Sequence, residues 1–282
     1  MTNEEKTVWE FEWLTDWQSI RECTLPVATP FQHWSVIQAW VETFGGLDKV
    51  IPYFLKAENG NGVVYWPLVR LRTGWKQGYR RKLQPIGHRL FDYHDPAIIG
   101  DCDLDSDFWD AFQSELQRNG SQLCDRIEIP RIRAGAAGIR QNDAPVDRAP
   151  YVNLHDYRDG EAFMQSRKAS LRGHVRRQIK RLGEIGEVDF CVYDSNTISE
   201  VEEWIPTLER ERKQRYPNSN LPDGFLKTLV QNGLVESVVH CSAVRLNGKT
   251  ISWHIGFTWN NVFYWYIPVS YTHLTLPTTP YV

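Results

Sequence analysis

A chain of 282 residues, 41% hydrophobic and 24% charged, is ordinary globular material, long enough for one large domain or two of medium size. A net charge of -3 argues against a globally basic nucleic-acid binder, DNA included. The start MTNEEKTVWEFEW lacks the apolar core of a signal peptide, and no stretch approaches the roughly 20 apolar residues of a membrane-crossing helix. Five scattered cysteines (Cys23, Cys102, Cys124, Cys191, Cys241) without a Cys-x-x-Cys pair read as the reduced, mostly buried thiols expected of a cytoplasmic protein, not as a disulfide frame or a zinc site.

In chain order, Val8 to Trp13 alternates as a half-buried strand does. Asp16 to Cys23 suggests a short helix. Pro30 opens a stronger one, Phe31 to Phe44, stopped by Gly45-Gly46. Strands are expected at Val50 to Ala57, Val63 to Leu71 and Leu83 to Ile86. A loop containing Asp92-Tyr93-His94-Asp95-Pro96 follows. Then come an amphipathic helix from Asp105 to Asn119, a strand from Leu123 to Ile129, and an Ala/Gly/Asp/Arg-rich connector from Arg131 to Pro150.

The second half begins with a strand near Val152 and a long helix from Glu161 to Ile185, with Met164, Leu171, Val175, Ile179 and Leu182 on one face. A strand is expected over Val188 to Tyr193. Ser199 is positioned to cap a helix to about Tyr216, with Ser199-Glu200-Val201-Glu202 a near-match to a capping box, and a short helix from Asp223 should stop at Asn232-Gly233. Val235 to Pro268 then reads as a three-stranded antiparallel meander, turning at Asn247-Gly248 and Asn260-Asn261, because a primed turn needs positive φ at both central residues. Strand, helix, helix and three strands thus recur in both halves, as element order without a residue-level repeat.

Three groups could carry chemistry. Arg167 to Arg181 holds seven Lys/Arg and no acid, with Lys168, Arg172, Arg176 and Lys180 along one stripe. Such a stripe suits phosphates, or a solvated face balanced by the glutamates of the next helix. The loop from Gly87 to Pro96 carries two histidines and two aspartates, but the His-x5-His spacing matches no standard zinc motif, so no metal is assigned. His254 lies mid-meander, on a face shared with Ser252, Gly256 and Thr258, opposite Trp253, Ile255, Phe257 and Trp259. It is either a structural histidine or a general base, and Tyr264 and Tyr266 either join it around a cleft or simply pack. No Walker loop, Gly-x-Ser-x-Gly, His-Glu-x-x-His or Rossmann fingerprint is present.

The last fourteen residues, VSYTHLTLPTTPYV, have no charge and no strand pattern. From about Ser270 they are similar to translated sequencing-library adapter, so the natural protein is expected to differ and continue past Pro268.

Several pieces together resemble the GNAT acyltransferases, in particular the FemAB-like branch and its CelD-like proteins associated with cellulose biosynthesis. They are Thr29-Pro30-Phe31-Gln32 with Trp34 and Trp40, Trp66-Pro67-Leu68, Gly87 with Asp92-Tyr93 and Asp95-Pro96, Leu171-Arg172 through Arg181-Leu182 with Gly186, and the meander ending Tyr264-Trp265-Tyr266. The resemblance implies an α+β chain of two tandem GNAT-like folds with mixed, mainly antiparallel sheets. The first would span 1-150 and the second, incomplete, 151-268, with 269-282 as a non-native tail. It implies N-acyl transfer from acetyl-CoA or another acyl-CoA to an amine, as a small molecule or an envelope precursor, in exopolysaccharide or cell-envelope synthesis. His254 is then the candidate base, Asp92, Tyr93, Arg172, Arg176 and Tyr264 the substrate-binding set, and Tyr266, Ile267 and Pro268 the donor-orienting backbone. The pyrophosphate-binding loop should begin after Pro268, so this chain is not expected to bind acyl-CoA tightly and should be inactive as a fragment. Two alternatives stay open: an aminoacyl-tRNA-dependent transferase, with the basic helix on RNA, and a non-catalytic GNAT-like binding module.

Overall fold

The structure is a computed structural model that describes residues 8-16, 18-19, 27-47, 49-72, 74, 80-88, 90-133, 149-217 and 221-270. It is an α+β protein in which, among the described residues, three four-stranded sheets are mainly antiparallel. Two compact units divide the chain. One comprises Met1–Arg140, Tyr193–Cys241 and His254–Val269; the other comprises Gln141–Val192, Ser242–Trp253 and Ser270–Val282.

The first unit opens with β1 (Glu10–Leu14), followed by a 3-10 turn (Pro30–Gln32) and α1 (Trp34–Phe44). Here one predicted helix is two, because His33 leaves helical conformation at ψ 141° and its ring accepts from the Ser35 N–H as an N-cap. The predicted strand Val50 to Ala57 is also two, β2 (Val50–Pro52) and β3 (Phe54–Glu58), and Val63 to Leu71 splits into β4 (Gly62–Trp66) and β5 (Leu68–Arg72). Both breaks fall where strands change sheets. β3 and β4 pair with each other in the sheet β1-β3-β4-β7, while β2 and β5 pair in the sheet β2-β5-β6-β8. Pro67, without an N–H, sits at the second break and accepts from Ile86 N instead.

β6 (Arg81–Pro85) lies near its predicted place. β7 (Ala97–Gly100) follows the acidic loop and was not foreseen; it pairs with β4 from Tyr65↔Ala97 to Gly62↔Gly100. α2 (Ser106–Leu123), N-capped by the Asp105 carboxylate on Phe108 N, runs through the start of the expected strand Leu123 to Ile129. Only β8 (Arg126–Ile127) remains of that strand, parallel to β6. Trp9, Leu55, Val64, Trp66, Phe108 and Phe112 form the core between α2 and the first sheet. Each such buried side chain contributes roughly 1.5–3 kcal/mol.

In the second unit residues 151-153 form no strand: the Asn153 side chain accepts from His155 N and starts a 3-10 turn instead. The single helix expected over Glu161 to Ile185 is α3 (Gly160–Gln165) and α4 (Ala169–Ile185). The break is held by the Arg172 guanidinium, which donates to the Gln165 and Arg167 carbonyls at 2.9 and 2.8 Å. β9 (Val188–Tyr193) follows as predicted. Cys102, Cys124, Cys191 and Cys241 are free thiols, and Cys23 lies outside the described residues.

Back in the first unit, the capping box before the next helix is Asp194 with Thr197, not Ser199 with Glu202; it closes a 3-10 turn that leads into α5 (Ile198–Arg215). α6 (Phe225–Val235) runs through Asn232 and Gly233. That glycine serves close packing, since a Cβ there would stand 2.1 Å from Val239. The meander is β10 (Val239–Leu246), β11 (Lys249–Trp259) and β12 (Val262–Ser270), in the sheet order β12-β11-β10-β9, and its stretch Ser242–Trp253 belongs to the second unit. Its turns are primed as expected: Asn247 and Gly248 have φ of 50° and 75°, Asn260 and Asn261 of 49° and 60°.

Candidate functional site

Phe31 is the hub. Its ring is fully buried, with centroids of Phe91, Tyr93, Phe257, Tyr264 and Tyr266 between 4.9 and 6.1 Å away. The residues around it come from the 3-10 turn, the acidic loop, β11 and β12, all within the first unit.

The loop from Gly87 to Pro96 is mostly irregular, yet its main chain is held. The Leu90 carbonyl accepts from the Tyr266 hydroxyl (2.6 Å), Phe91 O from the Arg131 guanidinium (2.7 Å), Tyr93 O from the Gln32 amide (2.7 Å) and His94 O from the Trp66 indole (2.9 Å). Four side chains from four other segments thus do what a ladder does in a sheet. The loop also begins on a position only glycine fits. Gly87 has φ +74°, and a Cβ would stand 2.0 Å from the Phe91 ring. Its far end is anchored by the fully buried Asp95 carboxylate, which accepts from Arg133 N (2.8 Å) and pairs with the Arg133 guanidinium.

So fixed, the loop presents Asp92 and Tyr93. The Asp92 side chain is 53% exposed and 3.9 Å from the Arg131 guanidinium. Partial burial lifts its pKa, against the pull of Arg131. Tyr93 meets Tyr264 edge-on at 6.3 Å, and the Arg133 guanidinium lies 6.0 Å from the Tyr93 ring. Burial raises the Tyr264 and Tyr266 phenols, so both keep their protons at neutral pH. Tyr266 uses its proton on Leu90 O.

Strand alternation settles the relation of the two tyrosines to His254. Tyr264 and Tyr266 face Phe31, while Phe263 and Trp265 face the other way, with His254. The His254 ring stacks on Trp265 at 4.0 Å and 25°, beside Phe263 and His240. It covers Gly256, where a Cβ would stand 2.6 Å from His254 Cε1. Burial, then His240, lowers its pKa to about 4, so it is neutral at pH 7. Neither ring nitrogen has a hydrogen-bond partner among the described residues. His254 therefore does not join Tyr264 and Tyr266 around one cleft.

The remaining predicted residues are dispersed. Ile267 is buried and Pro268 continues β12. Arg172 and Arg176 belong to the second unit, where Arg172 caps α3 and Arg176 stands 4.0 Å from Glu161. Sequence reasoning did not single out Arg131 and Arg133. They lie 40 and 38 residues from their partners Phe91 and Asp95, beyond any local pattern. Among the described residues no group of three His, Cys, Asp or Glu side chains is arranged to hold a metal ion.

Residues 169–274 match a family model described as an acetyltransferase (GNAT) domain, which supports a general acyltransferase character for that segment. A solved structure, described as a conserved protein of unknown function from Bacteroides thetaiotaomicron VPI-5482, is similar over 94% of this chain and 81% of its own, at 12% identity and a TM-score of 0.48. No curated protein matches the chain.

Proposed function

We propose that this chain is a GNAT-type N-acyltransferase of the FemAB-like, CelD-like branch, taking an acyl group from acyl-CoA onto a primary amine of a small molecule or envelope precursor, on the cytoplasmic side. The observation that carries the acceptor side is the loop from Gly87 to Pro96, whose held main chain presents Asp92 and Tyr93 beside Tyr264. An alkylammonium suits this set. The carboxylate of Asp92 supplies the opposite charge, and aromatic faces attract a cation.

An amine must be neutral to attack an acyl carbon. Asp92, whose pKa is raised by partial burial, takes up the proton better than an exposed carboxylate does, directly or through one water. Tyr264 keeps its phenol proton and orients the acceptor by donating it in a hydrogen bond. His254, on the opposite face of the sheet, would reach only a ligand lying against Trp265. Acyl-CoA, when bound, supplies the activated acyl group as a thioester. β12 is the outermost strand of its sheet, so an extended amide arm would find main-chain groups along Tyr266 to Pro268 that no other described strand takes. After Pro268, where the family resemblance calls for a pyrophosphate-binding loop that this sequence does not match, β12 continues to Ser270, and residues 271-282 lie outside the described residues.

Calorimetric titration of the 282-residue chain with primary amines, from ethanolamine to an amino sugar, tests the acceptor site. At least one amine should bind saturably, and Asp92→Asn and Tyr264→Ala should each weaken it about tenfold or more. Amine binding that both variants leave unchanged would overturn the assignment. Titration with CoA checks the donor side separately: weak or no binding is expected of this chain, and low-micromolar affinity would overturn that expectation.

A further inference from the structure

We propose that the segment from Ala169 to Val192 docks on an anionic membrane surface, lying in the headgroup region as a basic amphipathic element. The inference is independent of the acyltransferase reading. It starts from side chains that helices and strands ordinarily bury. Leu171, Val175, Ile179 and Leu182 recur at i, i+4, i+8 and i+11, which makes one stripe along α4. No residue of α4 is buried. On β9, Val188, Phe190 and Val192 alternate onto one face. Leu171, Ile179, Ile185, Val188, Phe190 and Val192 are each between 41% and 69% exposed, although they sit close together in sequence within one unit. Two exposed apolar faces on successive elements, where helices and strands ordinarily bury such side chains, mark an interaction site.

Charge says what kind. Arg172, Arg176 and Lys180 each follow a stripe residue by one position, so they flank the stripe along its length, and Arg181 stands on its other side. Arg167 to Arg181 contains seven cations and no acid. Acids close the segment at its far end. Glu184 stands 3.8 Å from Lys180, as Glu161 stands 4.0 Å from Arg176, both in exposed pairs that a competing anion displaces at little cost. Glu187 and Asp189 alternate onto the other side of the strand from Val188 and Phe190. RNA would match the cations but leave Ile179, Ile185, Val188 and Phe190 in water. Acidic headgroups above acyl chains match both sets at once. No helix among the described residues is long and apolar enough to cross a membrane, so α4 would lie on the surface rather than span it.

The test is cosedimentation of the 282-residue chain with vesicles of phosphatidylglycerol and phosphatidylcholine in equal parts, against phosphatidylcholine alone, over a salt series. Binding to the anionic vesicles should fall steeply with salt and be at least about tenfold weaker on the neutral ones. The pair Arg176→Glu with Lys180→Glu, and the pair Ile179→Ser with Phe190→Ser, should each weaken binding about tenfold or more. All four positions are exposed, so the fold should survive, as circular dichroism would verify. Equal binding to both vesicles, or binding that the apolar pair leaves unchanged, overturns the proposal. So does salt-sensitive binding of homopolymer RNA without vesicle binding, which would assign the stripe to nucleic acid. A dimer abolished by the apolar pair, again without vesicle binding, would assign the face to a second copy of the chain.

Discussion

The loop from Gly87 to Pro96 is mostly irregular and held at four carbonyls by side chains from other segments, whereas the segment from Ala169 to Val192 is mostly helix and strand and scarcely buried. The difference follows from where main-chain hydrogen bonds go. A helix satisfies its own, so α4 needs no tertiary partner for its backbone and can turn most of its side chains to solvent. An irregular loop has no ladder, so each inward carbonyl must recruit a donor from far along the chain. Regularity is therefore a poor guide to fixed geometry. In this protein the main chain held by distant side chains is that of the irregular stretch.

The largest expected effect is on pH stability at the held end. His94 is 2% exposed, with neither ring nitrogen hydrogen-bonded among the described residues, and burial first, then His88 and Arg131, lowers its pKa to about 3. The unfolded chain takes up this proton near pH 6.5, and the folded chain resists it down to about 3. The unfolded state binds more protons in that window, so stability should fall as pH drops from about 6.5 toward 3, by up to ~1.4 kcal/mol per pH unit, and be flat in this term above pH 7. His254, at about 4, adds the same trend over a narrower window. Urea midpoints across this range check it, and His94→Gln should flatten the slope.

Next comes a contrast of two glycines. Gly87→Ala places a methyl against Phe91 at positive φ and should cost about 3 kcal/mol or more. Gly183→Ala in α4, with nothing within 4 Å of its Cβ position, should instead stabilise by about 0.5–1 kcal/mol. Denaturant unfolding of both would break the comparison if the two changes had the same sign. Between them, Arg133→Ala leaves the Asp95 carboxylate buried without its cation and should cost about 2 kcal/mol, less than a fully buried pair because Arg133 is partly exposed. Breaking the exposed Lys180–Glu184 pair with Lys180→Ala should change stability by under ~0.5 kcal/mol, the smallest effect of the set.

Local patterns carried much of the fold. The two Asn turns read correctly because positive φ at both positions is a property of the turn residues themselves. α2 and β9 followed from spacing alone. The misses share a cause. Val50 to Ala57 and Val63 to Leu71 look like single strands because alternation does not register that a strand has left one sheet for another. The helix over Glu161 to Ile185 looks continuous because the Arg172 side chain that caps its break sits inside the pattern it interrupts. Ser199-Glu200-Val201-Glu202 resembled a capping box, but Asp194 and Thr197 had already satisfied the helix entry.

Of the candidate residues that the family resemblance implied, Tyr93, Tyr264 and Tyr266 lie around Phe31, with Asp92 next to Tyr93 on the loop. His254 lies on the other side of the sheet, and Arg172 and Arg176 lie in the second unit; alternation by itself put His254 beside Gly256. Period 2 also dictates that Tyr264 and Tyr266 share a face of β12, but not which face of β11 that is. The tertiary structure decided it: Phe31, from more than two hundred residues upstream, packs on the tyrosine side, and His254 closes against Trp265 on the other. It alone also supplied the guanidiniums of Arg131 and Arg133. Turn type and strand face are local energies that a few residues fix. Partner choice between distant segments depends on which surfaces the whole chain brings within a few ångströms, and no local spacing encodes that.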